Sequence, residues 1–236
     1  MKLTHGLAAV ALSLAALTAQ AEVTGTAGVY SDYNWRGITQ TAQDPALQGS
    51  IDYAHDSGFY IGAWGSNVDF GDCCDENVEV DIYTGFRFGE TLTWDFGLVY
   101  YTYPSADDLD YPEIYVGLGW EWLSGKISYS DDFGNVDESA FYYEANAAYD
   151  LPANFGINAH LGYSDGDAID LLYDDSYMDW AVGVTYDWSN FTFGLKYADG
   201  SDLEGLDGTE DDVNSSEGQV IFSITTAFPW SAGEAE

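Results

Sequence analysis

Basic residues are scarce in this chain: 5 Lys and Arg stand against 41 Asp and Glu, giving a formal net charge of -36 over 236 residues. Nucleic acid is therefore not expected as a partner, because phosphate contacts need clusters of Lys and Arg. The surplus of acid is bearable where salt screens its self-repulsion. Cysteine is nearly absent too. Cys73 and Cys74 are adjacent, so they offer neither the spaced ligands of a zinc site nor an unstrained bond to each other. An exposed, redox-labile loop pair is the reading left, and no metal or cofactor is expected. After residue 21 no apolar run approaches the ~18 residues of a membrane-spanning helix. The remaining chain is thus either soluble or crosses a membrane by strands, which hydropathy does not register.

Catalytic apparatus is also thin. Only His55 and His160 follow residue 21, with no Gly-x-Ser-x-Gly elbow and no glycine-rich phosphate loop ahead of a helix. A lipid-modifying barrel would need a histidine beside a serine on its lipid face. His55 falls next to a tight turn and His160 on the opposite face, so an enzyme is not expected. No Pro-, Gly- or Ser-rich linker divides the chain, which reads as one domain.

What is present begins with a leader. Lys2, the apolar stretch from Leu7 to Leu17 and the small-residue pattern Ala19-Gln20-Ala21 have the layout of a cleaved secretory signal over 1–21, with a barrel domain over 22–236. Aromatic residues make up 17% of the chain, including 19 Tyr and 8 Trp, which suits the aromatic belts at the two water boundaries of a membrane protein.

From Glu22 onward the chain repeats about ten residues of period-two alternation followed by a polar break. In 79–88, Val80, Ile82, Phe86 and Phe88 share one face, while Glu79, Asp81, Tyr83, Gly85 and Arg87 share the other. The same arithmetic sets Ile114, Val116, Leu118, Trp120 and Trp122 against Glu113, Tyr115, Gly117, Gly119 and Glu121. It predicts about twelve strands, at 23–34, 46–55, 58–67, 78–88, 92–103, 112–122, 125–131, 139–150, 154–164, 177–188, 190–199 and 218–229. A ten-residue tilted strand rises ~24 Å, enough for an apolar band of ~25 Å. The breaks alternate in length. Tight ones fall at 55–58, 88–91, 123–125, 150–154 and 188–190, and long ones around 36–45, 68–77, 104–111, 132–138, 165–176 and 200–217. Outer-membrane barrels sort their connections this way, whereas a soluble sandwich has no reason to. The expected fold is all-β, a transmembrane antiparallel up-and-down β-barrel of about 12 strands with both termini periplasmic.

If the apolar faces meet lipid, the opposite phase lines a lumen: Asp52, Glu79, Asp81, Asp95, Glu113, Glu121, Glu144, Asp179 and Asp187 against Arg87, Lys126 and Lys196. An acid-rich lining raises the local concentration of cations. The alternative is that these groups only pair with one another in a filled barrel, since twelve strands lies between eight-stranded barrels that side chains fill and sixteen-stranded open porins. Strand glycines such as Gly62, Gly85 and Gly117 read as bends or close backbone packing. The acidic loop runs, such as Asp107, Asp108 and Asp110, lack the spacing of a calcium loop and read as solvated.

One stretch carries a family resemblance. Ser31-Asp32-Tyr33, Arg36-Gly37-Ile38 with Gln40, Asp44-Pro45-Ala46-Leu47-Gln48-Gly49 and Ala63-Trp64-Gly65-Ser66-Asn67-Val68-Asp69 together resemble the TorF-type porins. That is a family of proteobacterial outer-membrane proteins long described as of unknown function. The resemblance implies an outer-membrane location and a pore, and it brings no established substrate and no catalytic residue. Outer-membrane lipids as surroundings and small solutes or cations as cargo are what the apolar faces and the acid-rich lining lead one to expect. Arg36, in so acidic a chain, either sets a constriction in the lumen or closes a loop by a salt bridge. A non-conducting structural or adhesive barrel acting through its acidic outer loops is the competing expectation.

Overall fold

The computed structural model describes residues 22–71, 77–201, 203 and 212–230. The leader, the Cys73–Cys74 pair and much of the last acidic loop lie outside these residues. Twelve long strands make the wall: β1 (Glu22–Tyr30), β4 (Ala46–Ala54), β5 (Phe59–Asn67), β6 (Val78–Phe88), β7 (Leu92–Thr102), β8 (Tyr111–Trp120), β9 (Leu123–Ser130), β10 (Ala140–Asp150), β11 (Phe155–Asp165), β12 (Tyr177–Trp188), β13 (Phe191–Ser201) and β14 (Gln219–Phe228). Two further strands of two residues each, β2 (Asn34–Trp35) and β3 (Ile38–Thr39), pair only with each other. The long loop after β11 carries a short helix, α1 (Asp167–Tyr173).

Every wall strand pairs antiparallel with its neighbours in chain order, and β1 closes the cylinder on β14 with Gly25 opposite Phe228 and Tyr30 opposite Ser223. Closure satisfies the backbone of both would-be edge strands, which is what permits strands to cross hydrocarbon at all. Twelve strands ~4.8 Å apart and tilted by ~45° enclose a backbone radius of roughly 13 Å. Inward side chains leave such a space partly empty unless something else enters it.

The outer surface is apolar by alternation. Val29, Leu47, Ile51, Ile82, Leu161, Val182 and Leu195 all point outward and are exposed, a surface that would cause aggregation in water and that lipid requires. Rings border it at both ends. Phe88 stacks on Phe96 and Phe155 packs on Tyr186 toward the short turns. Tyr129–Phe141, Tyr143–Tyr163 and Trp180–Tyr197 contact toward the long loops. The two faces of one strand should therefore respond oppositely to charge. Val182→Arg, on a side chain 49% exposed at mid-wall, is expected to lower refolding stability by ~2–4 kcal/mol. Thr185→Arg, on the inner phase of the same strand, is expected to cost under ~1 kcal/mol. Urea titration in detergent or vesicles checks the pair.

Connections follow the alternation of length read in the sequence, with two departures. The turn between β8 and β9 is Glu121-Trp122, with Trp120 opposite Leu123, and not Leu123-Ser124-Gly125. Glu121 adopts a positive φ of 52° there and is exposed, so it stands in a turn and not on the inner wall. The first strand ends at Tyr30, four residues earlier than the alternation suggested, because the chain turns inward into the β2–β3 hairpin.

Candidate functional site

Near the short-turn end the inner wall is held by tyrosines and one ion pair. Arg87 Nη2 lies 2.7 Å from Asp95 Oδ2; the Tyr60 hydroxyl donates to Asp95 at 2.7 Å and sits 2.5 Å from the Tyr115 hydroxyl. These rings lie over strand glycines: a Cβ on Gly97 would fall 2.4 Å from the Tyr115 ring oxygen and 2.8 Å from that of Tyr60. The glycines expected to mark bends thus make room for rings. Asp52 accepts hydrogen bonds from Tyr83 and from Ser50, and Asp187 accepts one from Thr192. At mid-height Lys126 meets Glu144 at 3.3 Å. His160 links Asn146 at 2.7 Å with Asp179 at 2.9 Å and Tyr142 at 2.9 Å. Lys196 makes no ion pair within 4 Å among the described residues; Asp32 and Asp179 are the carboxylates that act on it from further off.

The two sides of the lumen differ. From β4 to β8 the lining is bulky, with Trp64, Tyr60, Tyr83 and Tyr115. From β11 to β14 it is small, with Asn158, Thr185, Gly183, Gly194 and Ser223 on the inner phase.

The long-loop half is filled by the first long connection, 31–45. Ser31 keeps the chain on the wall through Phe222, its backbone N–H donating to the Phe222 carbonyl at 2.8 Å. Asp32 then organises the inward turn: it accepts from the hydroxyls of Thr39 and Thr41 and from the Gln219 amide at 2.8 Å. Burial raises its pKa, and those three donors together with Lys196 pull it back down. The turn itself is Arg36-Gly37, with φ of 49° and 84°. Two positive φ values in a two-residue loop are the mark of the mirror-image turns that suit a hairpin. Gly37 is also required for space, since a Cβ there would come within 2.8 Å of Asp179 Cβ on β12 and 3.3 Å of Gly200 Cα on β13.

Arg36, a non-glycine residue in left-handed backbone, stays there because its surroundings hold it. Its Nη2 lies 2.6 Å from Glu113 Oε2 on β8, and its guanidinium is boxed between the rings of Trp35 at 4.3 Å and Tyr142 at 4.1 Å. The hairpin thus crosses from β1 to β8, with four strands intervening on one side of the barrel and six on the other. Around it the loops form a core: Ile38, 2% exposed, packs with Tyr101, Tyr111, Phe133 and Tyr177 and with Ala168 and Ile169 of α1.

Of the sequence-selected residues, Asp52, Glu79, Asp81, Arg87, Asp95, Glu113, Lys126, Glu144, Asp179, Asp187 and Lys196 all fall on the inner phase of the wall. Arg36 hangs in the lumen and makes a salt bridge there, so its two readings merge. Glu121 is the exception already described. The alternation placed Glu79, Asp81 and Glu113 along a water-filled lining, but they are 1–3% exposed, covered by the hairpin. The roles missed are those of Asp32, Tyr33, Thr39 and Thr41 in the plug and, on the wall, of Tyr142 with His160. The Arg36-Gly37 dipeptide between Trp35 and Ile38 was the available signal, an X-Gly step between apolar neighbours.

Residues 15–228 match a family described as "Bacterial protein of unknown function (Gcw_chp)". The chain belongs to the Gcw_chp family. Among curated protein sequences nothing matches this Gcw_chp chain. Solved structures do. One titled "NanC porin structure in rhombohedral crystal form." shares 12% identity at a TM-score of 0.58, over 88% of this chain and 100% of that one. One titled "KdgM porin" shares 9% at 0.55, over 88% and 99%, and "KdgM porin in complex with disordered oligogalacturonate" shares 10% at 0.54, over 89% and 99%. At such identities the likeness is one of fold: the Gcw_chp chain has the twelve-stranded barrel architecture of these proteins.

Proposed function

We propose that this barrel is a bacterial outer-membrane pore that passes small solutes passively and prefers cations. The observation that carries the reading is the charge left on the inner wall. Arg36, Arg87 and Lys126 are each neutralised by one carboxylate, which leaves Asp52, Asp179, Asp187 and the Glu79–Asp81 pair against Lys196. A low-dielectric wall focuses that surplus onto permeating ions. The TorF-type resemblance at 31–69 and the porin titles of the fold neighbours support the same reading. So does a leader over 1–21, which would bring the chain to the outer membrane with its short turns in the periplasm.

A second reading is favoured by one specific feature. The hairpin and α1 fill the long-loop half of the lumen, and a barrel sealed in this way would be a structural or adhesive element working through its outer loops. Catalysis has less support. His55 bonds Ser57 at 2.9 Å, but both belong to an exposed turn with no third group orienting the ring, and His160 is committed to Asn146, Asp179 and Tyr142.

The deciding experiment is insertion of the refolded protein into a planar bilayer across a KCl gradient. Stepwise currents with a reversal potential of the cation-selective sign are expected. Folded protein that stays silent at every voltage would overturn the pore and leave the sealed barrel.

A further inference from the structure

Beneath the hairpin lies a buried pair of carboxyl groups. Glu79 and Asp81, two residues apart on β6, face inward side by side and are 2% and 1% exposed. They lie within hydrogen-bond reach of each other, and no donor among the described residues reaches Asp81 Oδ1. Two carboxylates meeting in a site closed to water cannot both be charged; the arrangement holds only with one proton shared between them.

Among the described residues the groups around the pair are neutral or negative, apart from Arg36. The inner hairpin contributes Tyr33, whose hydroxyl donates to Glu79 Oε1 at 3.4 Å. It also contributes Arg36, which is spent on Glu113 and boxed by two rings. From β7 and the residue after it come Tyr101 and Tyr103, and from β8 Tyr111 and a third carboxylate, Glu113. Tyrosines are neutral, and Glu113 adds repulsion.

We propose that Glu79 and Asp81 form a buried proton-binding site that latches the inner hairpin, so that losing the shared proton releases the hairpin and opens the lumen. With the proton in place the pair is singly charged and Tyr33 can lie over it. Once the proton leaves, two adjacent charges and Glu113 are confined in a dry space, and the state that admits water to them is the one with the hairpin withdrawn. The sign follows directly: the latch holds at low pH and lets go as pH rises. The opening half of this statement rests on the pore reading; the proton site and the release of the hairpin do not.

Two readouts separate them. In a bilayer, conductance is expected to rise ~5-fold or more as the pH is raised in steps from acidic to alkaline. Glu79→Gln, whose amide donates to Asp81 at every pH, should stay low and flat, and Asp81→Asn serves as the second variant should the first fold poorly. Independently of any current, trypsin reports the hairpin. The chain's 5 Lys and Arg are Lys2, Arg36, Arg87, Lys126 and Lys196, and apart from Lys2 in the leader only Arg36 lies outside a wall strand. At about pH 8.5 the native barrel is expected to be cut after Arg36 ~10-fold faster than Glu79→Gln. Equal cleavage of native and both variants, or variants that keep the native pH profile, would overturn the latch. Differential cleavage without conductance at any pH would keep the latch and sink the pore.

Discussion

Replacing Arg36 by alanine is expected to release the inner hairpin at every pH. The substitution strips Glu113 of its ion-pair partner among the described residues while the carboxylate stays buried, and an orphaned buried charge costs about 3–5 kcal/mol. The contacts of the guanidinium with Trp35 and Tyr142 disappear with it. Because every ~1.4 kcal/mol is tenfold, this shift alone moves a two-state hairpin by roughly two to three orders of magnitude toward the withdrawn state. The barrel itself should persist: its closure runs through β1 and β14, and no wall hydrogen bond involves Arg36. Open-channel probability near neutral pH, measured alongside the heat-modified electrophoretic shift of a folded barrel, checks both halves. Arg36→Lys should fall between native and alanine, since it keeps the charge but loses the planar group that fits between two rings. A folded alanine variant with native currents would mean that the hairpin is not the barrier.

The same residue shows where sequence reading ran out. Period-two alternation is a local property, and it placed eleven charged residues on the inner face, because a one-residue slip would have moved each of them into lipid. Loop lengths showed how the strands connect. Neither property says where a loop goes after it leaves the wall. Asp32, Thr39 and Thr41 are ordinary loop residues by composition, and the plug is bound by contacts of Asp32 with Gln219, Thr39 with Ser215, Arg36 with Glu113 and Gly37 with Asp179, up to 187 residues away. The β8–β9 turn failed for a different reason. Glu121 and Trp122 continue the alternation of β8 without interruption, while Gly125, which looks like a turn residue, is in a strand opposite Leu118. The family-like motif around Arg36-Gly37 was visible as a pattern; its physical meaning, a mirror-image turn pressed against β12 and β13, needed the fold.

Selectivity should depend on the acids that the ion pairs leave over. Asp52 and Asp187 both lie toward the short-turn end, one bonded by Tyr83 and Ser50 and the other by Thr192, with no cation within ion-pair distance among the described residues. These hydrogen bonds fix the carboxylates but do not cancel their charge, so an entering ion meets two negative groups at that mouth. Lys196 is deeper, beyond mid-wall, and opposes them weakly across that distance. Asp52→Asn with Asp187→Asn is therefore expected to lower the cation-to-anion permeability ratio ~3-fold in ~0.1 M salt. The change should shrink in ~1 M salt, where the screening length falls from ~10 Å to ~3 Å and the mouth no longer feels its fixed charges. Neutralising Asp95 should lower the ratio as well, because it removes the carboxylate that pairs with Arg87 beside the same mouth. Reversal potentials at the two salt concentrations measure all three variants. A ratio insensitive to Asp52 and Asp187 at low salt would mean that ions do not pass along this wall and that selectivity is set at the hairpin.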